Sequence, residues 1–409
     1  MMDLLQEILL PLGAAATLTT LPGALELMLV TGGALLRRNL PAGAGIEKFS
    51  LAVIVPAHNE EVLIGRCVAS LLASAEGGPR CTVAVVADNC TDSTAAKARQ
   101  AGARVLVRED ALLRGKGYAL RFALDLLIAE GYDGFLIVDA DSAVSPNLLP
   151  EIARGLLAGA DAMQARYRVM PPLDSERKRL MDVAFLAINV LRPKGRDGWG
   201  LSAGILGNGF ALSRATLQAV PYSADSIVED LEYHLLLVDA GKTVRFANAA
   251  TVYGDIPNDE AAQLTQRARW EGGRARVAGM WIPKLAAQVL RGKFLVAEPL
   301  LELLTLPLAY LALIALALCV FPLAAFRYYG ILLLVLLLAH VATAVGLSGN
   351  VRASAMALVS APAYVFWKLT RMAAIVKSSR KGAQWTRTPR AGDGKAEVEP
   401  EPQPEVNNV

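Results

Sequence analysis

Cysteine is scarce in this chain of 409 residues: Cys67, Cys81, Cys90 and Cys319 show no CxxC spacing and suggest no disulfide framework, which fits a reducing cytosol. Histidine is scarcer, and three copies, His58, His234 and His340, argue against a histidine-built zinc site. Neither charge sign dominates, with 41 basic and 38 acidic residues, and no basic stripe with interleaved aromatics marks a nucleic-acid partner. Charge is missing altogether from residues 8–25, 303–326 and 328–351. Each run is long enough for a bilayer crossing at about 20 residues per helix. With 54% apolar residues overall, the chain reads as an integral membrane protein with a water-facing middle.

The first run is not a cleavable signal peptide, because it lacks a basic start and continues past Glu26 to Leu36 before Arg37 and Arg38. Residues 1–38 are read as an N-terminal anchor. Positive charge flanking a span marks the cytoplasmic side, so the domain that follows is expected in the cytosol, on the inner face of the cell membrane. Glu26 lies inside this span, where an ionised carboxylate costs roughly 3 kcal/mol, and a contact with another span is expected to hold it. Met280, Trp281, Ile282, Leu285 and Leu290 among basic residues suggest an interfacial helix over 277–294. Hydrophobic helices are expected over 295–380. The uncharged stretch 353–367 is short for a span, so 353–376 is read as lying on the membrane. The Pro/Glu-rich end is expected to be disordered, over 381–409.

Between these ends the pattern alternates. Leu51–Val55 is an apolar run stopped by Pro56, and a helix with Val62, Leu63, Val68, Leu71 and Leu72 follows. The scheme repeats through 82–87, 105–107 and 134–138, which predicts an α/β fold whose sheet is mostly parallel, with helices on both faces. In such a sheet, ligands meet the carboxyl ends of the strands. Asp139 and Asp141 stand at one such end, and two oxygen donors there suit a divalent cation on phosphate. Asp88 follows another strand. Arg114-Gly115-Lys116-Gly117 has the glycine and charge of a phosphate-contacting turn. Gly204–Phe210 reads as a strand edge approached by a ligand. Asp230 sits in the first turn of a helix, where the dipole favours an anion. Gln266, Arg269 and Trp270 share one helix face.

In this order the motifs resemble the membrane-bound family 2 glycosyltransferases, the group of cellulose, chitin, hyaluronan and poly-N-acetylglucosamine synthases. Val55-Pro56-Ala57-His58-Asn59-Glu60-Glu61 is similar to the family's opening strand and loop, and Asp139-Ala140-Asp141 to its DxD. Glu229-Asp230 resembles the TED with Val228 for Thr, and Gln266 to Trp270 fits QxxRW. A narrower likeness at Ala87–Asp92 and Arg114–Tyr118 is to bacterial exopolysaccharide-type members. The resemblance implies a GT-A, Rossmann-like domain over 48–276 that uses a UDP-sugar and Mg²⁺ or Mn²⁺. Asp230 would be the general base; Asp139 and Asp141 would face the metal. Pro56, Ala57, Glu60, Asp88, Lys116, Asp139, Gln266, Arg269 and Trp270 would line the substrates. The implied partners are the donor, a polysaccharide or lipid acceptor, the membrane and an export partner. No gating-loop motif of the cellulose synthase type is recognisable.

Overall fold

A computed structural model describes residues 2–36, 38–40, 45–223, 228–255 and 260–363, with the side chains outside 2–6 and 260–269. Helix α1 (Met2–Gly33) precedes β1 (Ser50–Ala57), α2 (Ile64–Ala75), β2 (Arg80–Asp88), α3 (Thr94–Gln100), β3 (Arg104–Arg108), α4 (Lys116–Ala129) and β4 (Gly134–Ile137). Next come β5 (Ala143–Val144), α5 (Leu148–Leu157), β6 (Ala162–Val169), α6 (Glu176–Phe185), a π-helical turn at Leu186–Leu191 and α7 (Arg192–Gly198). The domain continues through β7 (Phe210–Ser213), α8 (Arg214–Ala219), α9 (Glu229–Asp239), β8 (Val244–Gly254) and α10 (Glu260–Leu290). Helices α11 (Ala297–Leu304), α12 (Leu308–Cys319), α13 (Ala324–Gly346) and α14 (Val351–Ala357) follow.

The eight strands form one sheet in the order β3-β2-β1-β4-β7-β6-β8-β5. Pairs β2–β3, β1–β2, β1–β4 and β6–β8 are parallel, whereas β4–β7, β6–β7 and β5–β8 are antiparallel. The mostly parallel, Rossmann-like GT-A sheet expected from the sequence is therefore corrected to an α/β fold with a mixed sheet. The strand–helix alternation that prompted it holds only through β4. Beyond that point β7 runs back between β4 and β6, and its four residues carry no pattern that reveals direction.

Alternation along β1 divides the core. Ala52 and Ile54 join Leu120, Leu124, Phe135, Val190 and Tyr233 on one face, under α4, the π-turn and α9. Leu51, Val53 and Val55 join Ile64, Leu71, Leu149 and Ile152 on the other, under α2 and α5. The apolar positions of α2 fall three and four apart because that spacing keeps them on one helical face.

Among the described residues, two helical stretches are long and apolar enough to cross a membrane, Glu7–Gly33 and Ala324–Gly346. The run 303–326 is not one straight helix: Phe294–Leu304 and Leu308–Cys319 meet at 75°, a broken span or a re-entrant pair. Pro307 caps α12 and gives the break a cause, since proline cannot donate to the preceding turn. The segment 277–294 is largely the second half of α10, and Val277, Trp281 and Leu285 pack with Leu235 of α9 and Leu303 of α11. Of the stretch 353–376, residues from 364 onward lie outside the described residues, as does the tail 381–409.

Glu26, expected to contact another span, is fully buried and meets Arg196 of α7 at 2.8 Å. Arg196 also contacts Glu298 and reaches Glu302 of α11 at 3.1 Å. A carboxylate removed from water needs a countercharge, and α7 delivers it by lying directly on α1. That approach depends on glycine: a Cβ on Gly195 would stand 2.0 Å from the Val30 carbonyl oxygen, and one on Gly198 2.2 Å from that of Gly33. Gly195→Leu is expected to lower the thermal unfolding midpoint of the detergent-solubilised protein, at an overpacking cost of about 3 kcal/mol or more because backbone cannot step aside. An unchanged midpoint would show that α1 and α7 separate freely.

Candidate active site

The site grows from the ends of β1, β2 and β4, which run parallel and finish on one edge. Val138 N–H continues the ladder to Ile54 O at 3.1 Å, and the chain then turns, with Ser142 N–H donating to Asp139 O at 3.1 Å. Asn208, almost fully buried, steadies this turn by accepting from Asp139 N–H at 3.1 Å and donating to Ser142 Oγ at 2.8 Å. Gln164 of β6 holds the Asn208 segment in turn, donating to Asn208 O and accepting from Leu206 N–H, both at 2.9 Å. A buried glutamine in an apolar strand is costly unless its amide is bonded, and here both ends are.

Lys116 is the centre of the arrangement. Its Nζ lies 2.6 Å from Asp139 Oδ1, 2.5 Å from Gly207 O and 3.9 Å from Glu229 Oε1. Burial alone would lower the Lys116 pKa, but Asp139 and Glu229 outweigh it and hold the ammonium above its ordinary value. Gly207 has φ +75°, and a Cβ there would stand 2.9 Å from Asp230 Oδ2. Glycine is required twice over, by the left-handed backbone and by the proximity of the carboxylate. Asp139, Lys116, Glu229 and Asp230 are thus neighbours around one backbone turn.

Burial pushes the Glu229 carboxyl up to about 7, with Lys116 opposing and Asp230 adding to the rise. Burial also raises Asp230, against a hydrogen bond from Leu231 N–H at 2.8 Å. A carboxylate moved toward neutrality is a better proton acceptor at working pH than an exposed one. Val228, standing where the resembled motif has Thr, is a packing residue: a Cβ on Gly273 of α10 would fall 2.7 Å from its Cγ1. This close approach sets the start of α9 against α10, one turn beyond Trp270, which is 42% exposed. The backbone of Gln266 and Arg269 lies on α10; their side chains are outside the described ones.

Asp88 takes a separate place. Buried at the end of β2, it accepts from Arg108 Nη1 at 2.6 Å and from Asn89 Nδ2 at 3.1 Å, so a countercharge within the fold already meets it. Pro56 and Ala57 end β1, and Glu60 N–H donates to Thr94 Oγ1 at 2.7 Å. The loops after β1 and β2 are laced by Asn59 and Asn89, both at positive φ, 54° and 49°. Asn59 Oδ1 accepts from Thr91 N–H and Asn89 Oδ1 from Asp110 N–H, each at 2.8 Å. Non-glycine residues in this region are uncommon, and the side-chain bonds repay the strain. Asp141 lies at the open tip, where Arg66 donates to its backbone carbonyl at 2.6 Å and to Asp255 at 2.7 Å. Among the described residues no group of three or more His, Cys, Asp or Glu is placed to hold a metal. The sequence reading did not assign roles to Gln164, Asn208, Arg66, Arg108 or Glu229. Two signals were present: Glu229 stands in the Glu229-Asp230 motif and Asn208 within the glycine-rich stretch 204–210.

The model of the family described as Glycosyl transferase family group 2 matches residues 134–368, more than half of the chain. The chain belongs to that family. This glycosyltransferase is 24% identical over 236 residues to the probable glycosyltransferase YdaM of Bacillus subtilis, a match spanning 56% of each protein. It is 32% identical over 111 residues to the protein RfbJ of Shigella flexneri, covering 27% of this chain and 79% of RfbJ. Among solved structures it is similar to the mannosyltransferase PcManGT of Pyrobaculum calidifontis, in complex with GDP-Man and Mn²⁺. That likeness has a TM-score of 0.52 at 18% identity, covers 92% of this chain and 97% of PcManGT, and bears on the fold alone.

The raised Glu229 gives the glycosyltransferase a pH signature. The folded state keeps a proton that the unfolded state, near the ordinary value of 4.5, has lost. This group's contribution to stability therefore falls as pH rises from about 4.5 to about 7 and is level beyond. Glu229→Gln is expected to remove that part of the slope, so the midpoint difference between variant and wild type should widen across this window. A difference that stays flat would place the Glu229 pKa at its ordinary value.

Proposed function

We propose that this glycosyltransferase is an inverting, membrane-embedded enzyme that moves a sugar from a UDP-sugar, UDP-glucose or UDP-N-acetylglucosamine, to a growing polysaccharide or oligosaccharide. The observation that carries this reading is the convergence of Asp139, Lys116 and Asp230 around Gly207. It joins a diphosphate-facing acid and cation to a carboxylate able to accept a proton. Helices α1 and α13 support a membrane setting, and Arg37 and Arg38 after α1 support a cytoplasmic catalytic domain on the inner membrane. The division into an anchor (1–38), a catalytic domain (48–276), an interfacial segment (277–294), membrane helices (295–380) and a tail (381–409) belongs to the same reading. So does an export partner, because two or three spans are few for a polymer channel.

In the reaction, Asp230 accepts the proton of the acceptor hydroxyl as its oxygen bonds to the anomeric carbon. The bond from that carbon to the diphosphate oxygen breaks, and its electron pair leaves with UDP. Lys116, with its charge maintained by Asp139 and Glu229, faces the charge that develops on the departing diphosphate. Asp139 and Asp141 fit Mg²⁺ or Mn²⁺, because such an ion commonly takes one or two carboxylates and fills its shell with phosphate oxygens and water. When bound, the ion adds positive charge at the diphosphate. On α10, Trp270 would stack on the acceptor sugar, Gln266 would help to position the terminal sugar or the diphosphate, and Arg269 would stabilise the charge on the departing UDP; Asp88, Pro56, Ala57 and Glu60 would face the nucleoside. The alternative within the same reading is a single transfer onto a lipid acceptor.

Asp230→Asn should retain UDP binding in a titration of the purified protein and lower turnover by about 10²- to 10⁴-fold. Wild-type turnover in that variant would remove Asp230 as the base. Asp141→Ala should lose activity and, with it, the effect of chelator on UDP binding. A chelator response equal to wild type would remove Asp141 from the metal.

A further inference from the structure

Helix α2 carries a cation at a place its own helix does not favour. Arg66 lies in the first turn, where the dipole suits an anion, and that turn holds no acid. A local preference broken in this way points to a tertiary task. The contacts supply one. A single guanidinium nitrogen, Nη2, donates to Asp141 O at 2.6 Å and to Asp255 Oδ2 at 2.7 Å. Cys67, the next residue, donates its thiol to Asp139 O at 3.5 Å, and Ser70, a turn beyond Arg66, accepts from Val144 N–H at 3.2 Å. Neighbouring positions on one helix thus grip the backbone from Asp139 to Val144, which Asn208 also holds through Asp139 N–H. All of these contacts act on main chain, and so they fix the direction in which the Asp141 side chain leaves it. Ala143 and Val144 pair with Tyr253 and Val252 of β8, which places Asp255 just past the strand beside this turn. Asp255 lies between β8 and α10, the helix of Trp270.

We propose that Arg66 is a positioning residue for the donor site: anchored by Asp255, it sets the Asp141 turn so that the carboxylate meets a divalent cation on the diphosphate, and it ties that turn to the segment entering α10. The inference rests on the function proposed above and adds a residue that acts through Asp141, without touching the substrate itself. Groups behind a metal ligand govern affinity by about tenfold to a hundredfold. The ion pair contributes little to the fold, because Arg66 and Asp255 are 40% and 37% exposed. Its loss therefore reads out on the site.

The test uses the full chain in phosphatidylcholine nanodiscs, with Mn²⁺ binding in the presence of UDP followed by the EPR signal of the ion. Arg66→Ala should weaken Mn²⁺ about tenfold or more, while UDP affinity without metal and the unfolding midpoint hold. Arg66→Lys should recover part of the loss. UDP release by Arg66→Ala should return toward the wild-type kcat as Mn²⁺ is raised, with the half-saturating Mn²⁺ concentration staying high. Asp255→Ala should weaken Mn²⁺ in the same sense, and the double variant no further than Arg66→Ala, because both act through one contact. Unchanged Mn²⁺ affinity in Arg66→Ala would overturn the proposal. So would lost UDP affinity without metal, which places Arg66 on the nucleotide, a lowered midpoint, which makes it a folding contact, or losses at Arg66 and Asp255 that add, which has Asp255 act on the ion by itself. Mn²⁺ binding and UDP release by the wild type test the function separately: with both intact and Arg66 without effect, only the positioning role falls.

Discussion

One ammonium holds the candidate active site together. Asp139 converges with Glu229 and Asp230 from two separate segments, and carboxylates gathered in a partly dry space repel one another and resist ionisation. Lys116, at the first position of α4, supplies the charge that lets them meet, and its bond to Gly207 O ties the fourth segment into the same turn. The opposed pKa displacements follow from this arrangement: the lysine is held charged while Glu229 and Asp230 are pushed toward neutrality. A proton acceptor and a fixed cation side by side are what sugar transfer to a hydroxyl requires.

A second knot of charge joins the apolar helix α1 to α7, α10 and α11. Arg196 draws Glu26 of α1 and Glu298 and Glu302 of α11 onto α7, and Arg274 of α10 reaches Glu302 at 3.7 Å. Because α10 also carries Trp270 and packs on Val228 through Gly273, α1 and the start of α9 share a chain of buried contacts. Such groups hold together only while each has its partner, which gives the junction geometric definition. Glycine contributes at both ends, with Gly195 and Gly198 seating α7 on α1 and Gly207 admitting Asp230.

Most buried guanidiniums meet an acid within the fold: Arg108 has Asp88, Arg168 has Asp182 and Arg196 has its three glutamates. Arg166 and the more deeply buried Arg192 pair with none among the described residues.

Much of this was legible in the chain itself. Long charge-free runs identify α1 and α13, since a bilayer imposes length and hydropathy locally. Alternation identifies the first four strands, and short motifs identify Asp139, Asp141, Lys116 and Asp230, because each occupies a strand end or a helix start whose local signals are strong. The direction of β7, the mixed sheet, and the break between α11 and α12 were decided by packing between distant segments. So were the partners of Glu26 and Asp88: an ion pair forms between residues 170 apart in one case and 20 in the other, and no spacing along the chain records it. Sequence determined which groups could do chemistry; tertiary structure decided which were neutralised within the fold and which were gathered around Gly207, because Coulomb energy depends on distance in space.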